Sequence, residues 1–280
     1  MHPPAEPSTV EPPLAGLWQA AWPPLALLAG LVLAWHLVVV VGGLPAFILP
    51  SPGRVLGVLV ARRAGLGEAL LASLAATFAG LGLALVLGLT LALLIQVSTG
   101  LRRALYPLLV VSQTVQILAI APLLVIWMGF GMRPTIAIVV LICFFPLAVS
   151  TADGLAAVDP ELVALLESMG ASRSQVWRMV RLPAALPAFF SGLKIAVTYS
   201  VVGATIGEWV GGSTGLGLYL LRSKNALATD QVFAAMLVTS SVSIGLFLLT
   251  ALAERLATPW QSALRARAGR RPRFPSGAAS

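Results

Sequence analysis

The chain is 280 residues long, 58% hydrophobic and only 10% charged, with a mean hydropathy of +0.94. Soluble globular domains carry about 25% charged residues, so this composition excludes one and points to an integral membrane protein. Its apolar runs are long and continuous rather than alternating, which makes the spans helices and not barrel strands. The formal charge of +8 is concentrated in Arg265, Arg267, Arg270, Arg271 and Arg273 of the C-terminal tail, beside a span, where basic residues set orientation and meet anionic lipid. No aromatic-interleaved basic groove accompanies them, so no nucleic-acid partner is expected. Cys143 lies in an apolar run and is the single cysteine, which excludes an intrachain disulfide or thiolate cluster. His2 and His36 have no second ligand nearby, and no metal site is expected.

In chain order, residues 1–23 hold repeated prolines, Glu6 and Glu11 but no Lys or Arg. They lack the basic start of a secretory signal and read as a disordered tail. A transmembrane domain is expected over 24–260 and a basic cytoplasmic tail over 261–280. The first span is about Pro24–Val41, ended by Gly42-Gly43 and Pro45. After Leu49-Pro50-Ser51-Pro52-Gly53-Arg54, an amphipathic stretch to about Glu68, with Arg62 and Arg63, is expected to lie along the membrane surface. The second span, Ala69–Ile95, carries Gly80, Gly82 and Gly88, which let neighbouring helices approach. The third, about Leu105–Phe130, carries Ser112, Gln113, Thr114, Gln116 and Pro122. Amides at membrane depth must face protein or a watery path, so Gln113 and Gln116 are candidates to line a translocation path, with interhelical hydrogen bonding as the alternative. The fourth span, Thr135–Ala152, is expected to break near Phe144-Phe145-Pro146.

The segment Asp159–Pro187 is the longest polar-punctuated stretch between hydrophobic runs. Asp159 can cap a helix whose first turn holds Pro160 and Glu161, and Gly170 stops it. Ser172 can cap a second short helix carrying Val176, Trp177, Met179 and Val180, after which Pro183 and Pro187 restart the chain as a span. The fifth span, about Leu186–Ile206, holds Lys194, expected to snorkel or to pair with a helix C-terminus. Gly207-Glu208-Trp209 marks its far end. Glu208 reads either as a path residue or as an interfacial acid beside Trp209. The Gly211–Gly217 string lacks the Gly-Lys-Ser/Thr of a phosphate loop and reads as a turn, within a loop that continues to Asp230. The sixth span is about Val232–Ala253. With both termini inside, 11 Lys and Arg fall on the cytoplasmic side against 6 opposite, which also places the Gly170 segment in the cytoplasm.

A glycine, nine residues, a branched aliphatic, one residue and Leu-Pro recur here as Gly170, Val180 and Leu182-Pro183. This resembles the cytoplasmic coupling loop, about 159–183 here, of inner-membrane permease subunits of bacterial ABC importers. The family's Glu-Ala-Ala triplet falls on Ala164-Leu165-Leu166, without its glutamate; Glu161 and Glu167 are the acidic candidates nearby. Leu182–Pro187, Gly192–Ala196, Gly207–Trp209 with Gly215–Gly217, and Thr229-Asp230 resemble the subfamily serving nitrate, sulfonate, taurine and thiamine-precursor importers. Glu208-Trp209 and Thr258-Pro259-Trp260 look closest to its pyrimidine permeases.

The resemblance implies an all-α membrane protein of about six spans, a MetI-like type I importer permease in the bacterial inner membrane. It implies coupling residues Glu161, Glu167, Gly170, Ala171, Ser172, Trp177, Val180, Leu182 and Pro183, with Trp177 entering a groove of the ATPase or else anchoring at the lipid interface. It also implies a second permease copy, an ATPase pair and a periplasmic or lipid-anchored binding protein as partners. No cofactor is expected in this chain, since ATP-Mg would sit on the ATPase. An ion-coupled secondary transporter is the alternative; of the ionisable residues such a protein needs near the midplane, the sequence offers Lys194 and Glu208.

Overall fold

The computed structural model describes residues 13–96 and 98–260. Every regular element among them is helical: α1 (Pro13–Val41), α2 (Pro52–Ala61), α3 (Arg63–Ile95), α4 (Thr99–Ser112), α5 (Ile117–Met128), α6 (Met132–Ala156), α7 (Pro160–Ser168), α8 (Arg173–Val176), a π-helical segment (Trp177–Arg181), α9 (Leu182–Gly211), α10 (Leu216–Asn225) and α11 (Thr229–Ala257). Five of these stretches are long and apolar enough to cross a bilayer, and α4 with α5 forms a bent pair that makes a sixth if counted as one span. The residues expected to form an N-terminal tail are helical from Pro13 on, while 1–12 and the basic 261–280 lie outside the described residues.

Two compact units can be distinguished. The first takes the described residues up to Arg63 together with Ser223–Ala234. Within it, α1 from Trp22 to Val41 is strongly apolar and leaves most of its hydrophobic side chains uncovered, as a lipid-facing span does. Trp35 of α1 stacks on Phe233 at 5.5 Å between ring centroids. Ser51 caps α2 and Pro52 occupies its first turn; the expected surface stretch is a helix only as far as Ala61, and its remainder, from Arg63 to Glu68, is the start of α3. Thr229 donates to the Phe47 carbonyl at 2.6 Å, and Arg54 pairs with Asp230 at 3.4 Å across an exposed face.

The second unit, Ala64–Arg222 with the described residues from Ala235 on, holds the core. Leu81 and Ala84 of α3 pack with Val139, Cys143 and Leu147 of α6 and with Ala196, Val197 and Ala204 of α9. α6 and α9 run antiparallel in close contact. A Cβ on Gly154 would meet Ala188, one on Gly192 the Pro146 carbonyl, and one on Gly207 the Thr135 Cα, the last two at 2.6 Å. Small residues here let two backbones touch, which in lipid replaces the hydrophobic drive that water provides. This contact explains a difference from expectation: α6 does not break at Pro146. Leu147 and Ala148, fully buried directly after Pro146, hold the helix against its neighbours there.

The third span does break. α4 and α5 meet at 96° around Gln113–Gln116. Ser112 donates its hydroxyl to the Leu109 carbonyl at 2.8 Å and Thr114 to Val111 at 2.7 Å, side-chain bonds that compete with the helical ladder. α10 also departs from the expected loop: its helix begins at Leu216, within the glycine string.

Of the two expectations for Lys194, the structure shows pairing at a helix C-terminus, since Glu254 lies in the last turn of α11. Its ammonium pairs with the Glu254 carboxylate of α11 at 2.8 Å, with both side chains about four-fifths buried (24% and 17% exposed). Removing one partner of such a pair leaves an uncompensated charge and costs about 3–5 kcal/mol. We expect Lys194→Met to lower the thermal midpoint sharply and Lys194→Leu with Glu254→Leu to recover most of it. A double variant no better than the single one would mean that the pair's charge balance is not what matters there.

Candidate functional site

The segment from Asp159 to Pro183 forms a knob of two short helices. Asp159 accepts the Glu161 amide at 2.9 Å, and Pro160 presets the first turn of α7. At the other end the Gly170 amide bonds the Glu167 carbonyl and the Ala171 amide the Leu166 carbonyl, both at 3.0 Å, with Gly170 at φ +86°. This is the paired closure of a Schellman motif, which needs a residue that tolerates positive φ. One residue later Ser172 and Gln175 make a reciprocal capping box: the Gln175 side chain accepts the Ser172 amide at 2.7 Å, and Ser172 Oγ accepts the Gln175 amide at 3.3 Å. Both helices therefore have closed ends, and the elbow between them is fixed by hydrogen bonds.

The second helix does not stop at the prolines. Pro183 has no amide to donate to the fourth residue back, and Leu182 bonds Trp177, five residues back, so the turn widens into the π segment and runs directly into α9. The expected restart of the chain at Pro183 and Pro187 is thus corrected to a continuous helical path from α8 to Gly211. Val176, 3% exposed, seats this path in the protein.

Ala171, Trp177, Val180 and Pro183 are half-buried, while Glu161, Glu167, Gly170, Ser172 and Leu182 are exposed. α7 buries none of its residues, and Leu162, Leu165, Met169, Met179 and Leu182 stand uncovered around it and the turn that follows. A short capped helix with bare apolar side chains is what a partner's groove accepts. The Arg181 guanidinium lies 5.4 Å from the centre of the Trp177 ring, and Trp177 forms one wall of a cavity of about 420 Å³.

Gln113 and Gln116 both lie at the α4–α5 break and both are exposed: Gln113 ends α4 and Gln116 precedes α5. Gln113 and Ser112 also line a cavity of about 280 Å³ whose other walls include Phe145, Pro146 and Tyr199.

Glu208 lies apart from these amides and is not solvated, being 2% exposed on the last turn of α9. Its carboxylate accepts the Ser73 hydroxyl of α3 and the Gly217 amide, each at 2.6 Å, and Ser73 Oγ in turn accepts the Leu216 amide at 2.8 Å. Four groups thereby bind the start of α10 to α3 and α9. Gly215 makes the turn at φ +126°, and any Cβ there would collide with the Glu208 carboxylate. Sequence reasoning missed Ser73, although Ala69, Ser73, Ala76, Thr77 and Gly80 form a stripe of small buried residues along α3, the face against which something must pack closely.

The knob and the spans that bear it have counterparts. Residues 80–261 match the family described as binding-protein-dependent transport system inner membrane component. The chain is 39% identical to a probable ABC transporter permease protein of Haemophilus influenzae, over 80% of this chain and 91% of that one. It is 36% identical to the formylaminopyrimidine transport permease protein ThiX of Halalkalibacterium halodurans, over 87% and 97% respectively. The MetNI methionine ABC transporter in an inward-facing conformation shares the fold, with a TM-score of 0.61 at 19% identity over 70% of this chain and 98% of that one. The chain belongs to the binding-protein-dependent transport system inner membrane components and is a membrane-spanning permease subunit of an ABC importer.

Proposed function

We propose that two copies of this chain form a translocation path across a bacterial inner membrane, with both termini in the cytoplasm. A separate ATPase pair grips the two Gly170 knobs and carries out all ATP hydrolysis. A periplasmic or lipid-anchored binding protein delivers a small pyrimidine-type solute. The observation that carries this reading is the unbroken helical path from the capped elbow through the π segment into α9. A push on the knob is transmitted to a span as a rigid-body motion instead of being lost in a linker.

For the solute, the relative named as a formylaminopyrimidine permease covers nearly the whole chain. The chemistry of the cavity at the α4–α5 break agrees with it. Phe145 and Tyr199 offer ring faces, and Gln113 and Ser112 offer hydrogen-bonding groups, with no Lys, Arg, Asp or Glu among the residues lining it. A sulfonate or nitrate would find no counter-charge there, whereas a neutral heteroaromatic ring would be satisfied. In this reading Gln113 and Gln116 line the path and Glu208 shapes its outer end.

The test is gentle purification of the tagged chain from its host, with mass spectrometry of the proteins that accompany it and of any ligand on the binding protein. An ATPase and a pyrimidine-loaded binding protein are expected. A sulfonate on the binding protein would overturn the solute but not the importer. A chain that came out alone, with ion-driven uptake in ATP-free vesicles, would restore the secondary transporter.

A further inference from the structure

The cavity at the knob is larger than the one at the α4–α5 break. Its volume is about 420 Å³, and its walls are Leu93 and Gln96 at the end of α3, Glu167 of α7, Arg173 and Val176 of α8, and Trp177 and Arg181 of the π segment. Its two guanidiniums form no ion pair: the salt bridges among the described residues join Arg54 to Asp230 and Lys194 to Glu254. Glu167 faces the same space without pairing with either arginine, so the wall carries a net charge of about +1, bordered by Leu93, Val176 and the Trp177 ring. Arginine forks matched to oxyanions, set beside an apolar wall, are how proteins hold phosphate groups. The cavity lies beside the end of α3, where its apolar run stops.

We propose that this cavity is a binding site for a phosphate-bearing anion, held by Arg173 and Arg181 and lying against Trp177. It is distinct from the solute path; Glu167 and Trp177 belong both to its walls and to the expected ATPase contact, whereas Leu162, Leu165, Met169 and Met179 lie outside its walls and remain bare for a protein partner. Because its walls come from both the knob and α3, an occupant ties the two together, and the stiffness of the knob on its span becomes dependent on occupancy. The anion can be the headgroup of an acidic lipid or a soluble phosphate compound; the oxyanion chemistry is the same.

The experiment is a thermal-stability titration of the purified full-length chain in neutral detergent at constant ionic strength. The probes are dihexanoyl phosphatidylglycerol, its phosphatidylcholine counterpart and inorganic pyrophosphate. A saturable rise in Tm with at least one anionic probe and none with phosphatidylcholine is expected. Phosphatidylglycerol alone identifies a lipid headgroup as the occupant; pyrophosphate acting as strongly identifies a soluble one. Arg173→Gln should weaken the apparent affinity about tenfold or more, the loss of one charge-assisted hydrogen bond. Glu167→Gln should tighten it, because it removes the one like charge facing the anion. That gain is not produced by general damage to the fold, so it keeps the test decisive if Arg173→Gln proves unstable. No saturable shift with either anion, or identical shifts in wild type and both variants, would overturn the site. The outcome is independent of which solute is imported, since neither the binding protein nor transport enters the measurement.

Discussion

Gly170→Val is expected to leave the chain inserted at near-normal levels while cutting ATP-driven uptake by the assembled transporter about tenfold or more. The reason is purely one of backbone. Nothing lies within 4 Å of where a Cβ would stand at Gly170, so the position has room for a side chain. What it lacks is conformational tolerance, because φ is +86° and an L-residue there costs roughly 1–2 kcal/mol, with β-branched residues at the high end. The strain is relieved by opening the elbow, which sacrifices the bonds from Gly170 to Glu167 and from Ala171 to Leu166. Each 1.4 kcal/mol of that loss reduces the competent knob tenfold. Gly170→Asn, whose residue visits positive φ readily, should retain most of the uptake, and Gly170→Ala should fall between them. Proteoliposomes holding the permease with its ATPase and binding protein provide the measurement. Normal uptake by the valine variant would mean that the elbow is not the coupling element.

The contrast between the two ends of this chain shows which structural information is local. The knob was legible residue by residue: Asp159, Gly170 and Ser172 each do what the sequence pattern assigns them, because caps and closures are decided within four residues. The number of apolar runs was legible for the same reason, since span length is a property of the run itself. The errors came where a local signal was overruled by something distant. Pro146 sits in an unbroken helix because α9 packs against it, and Pro183 is absorbed by a π turn. The polar run Ser112–Gln116 reads as decoration on a span, but its side chains compete for backbone carbonyls and bend the chain by 96°. Lys194 and Glu254 are 60 residues apart in sequence, and nothing in either neighbourhood names the other. The Glu208 cluster was half legible: the acid stands out against an apolar run, but Ser73, 135 residues earlier, does not.

That cluster yields the other large expected effect. Glu208→Ala should destabilise the protein by about 3 kcal/mol or more, read as a lowered thermal midpoint and as new protease sensitivity between Gly211 and Gly217. The substitution removes an acceptor from two donors, and each buried donor left unsatisfied costs roughly 1–3 kcal/mol. Ser73→Ala should cost less, because it orphans the Leu216 amide and withdraws a single donor from the carboxylate. Glu208→Gln separates the possible roles of this residue. A glutamine oxygen can accept from Gly217, and the Ser73 hydroxyl can rotate to accept from the amide nitrogen, so most of the stability should return. If Glu208 only fastens α10 to α3 and α9, uptake should return with it. If the thermal midpoint recovers and uptake does not, the carboxylate's charge matters to the moving solute, and the fastening is secondary. Gly215→Ala supplies the control in the other direction: it leaves the carboxylate in place but drives a Cβ into it at φ +126°. It should match Glu208→Ala in stability loss, since both break the same four-group junction.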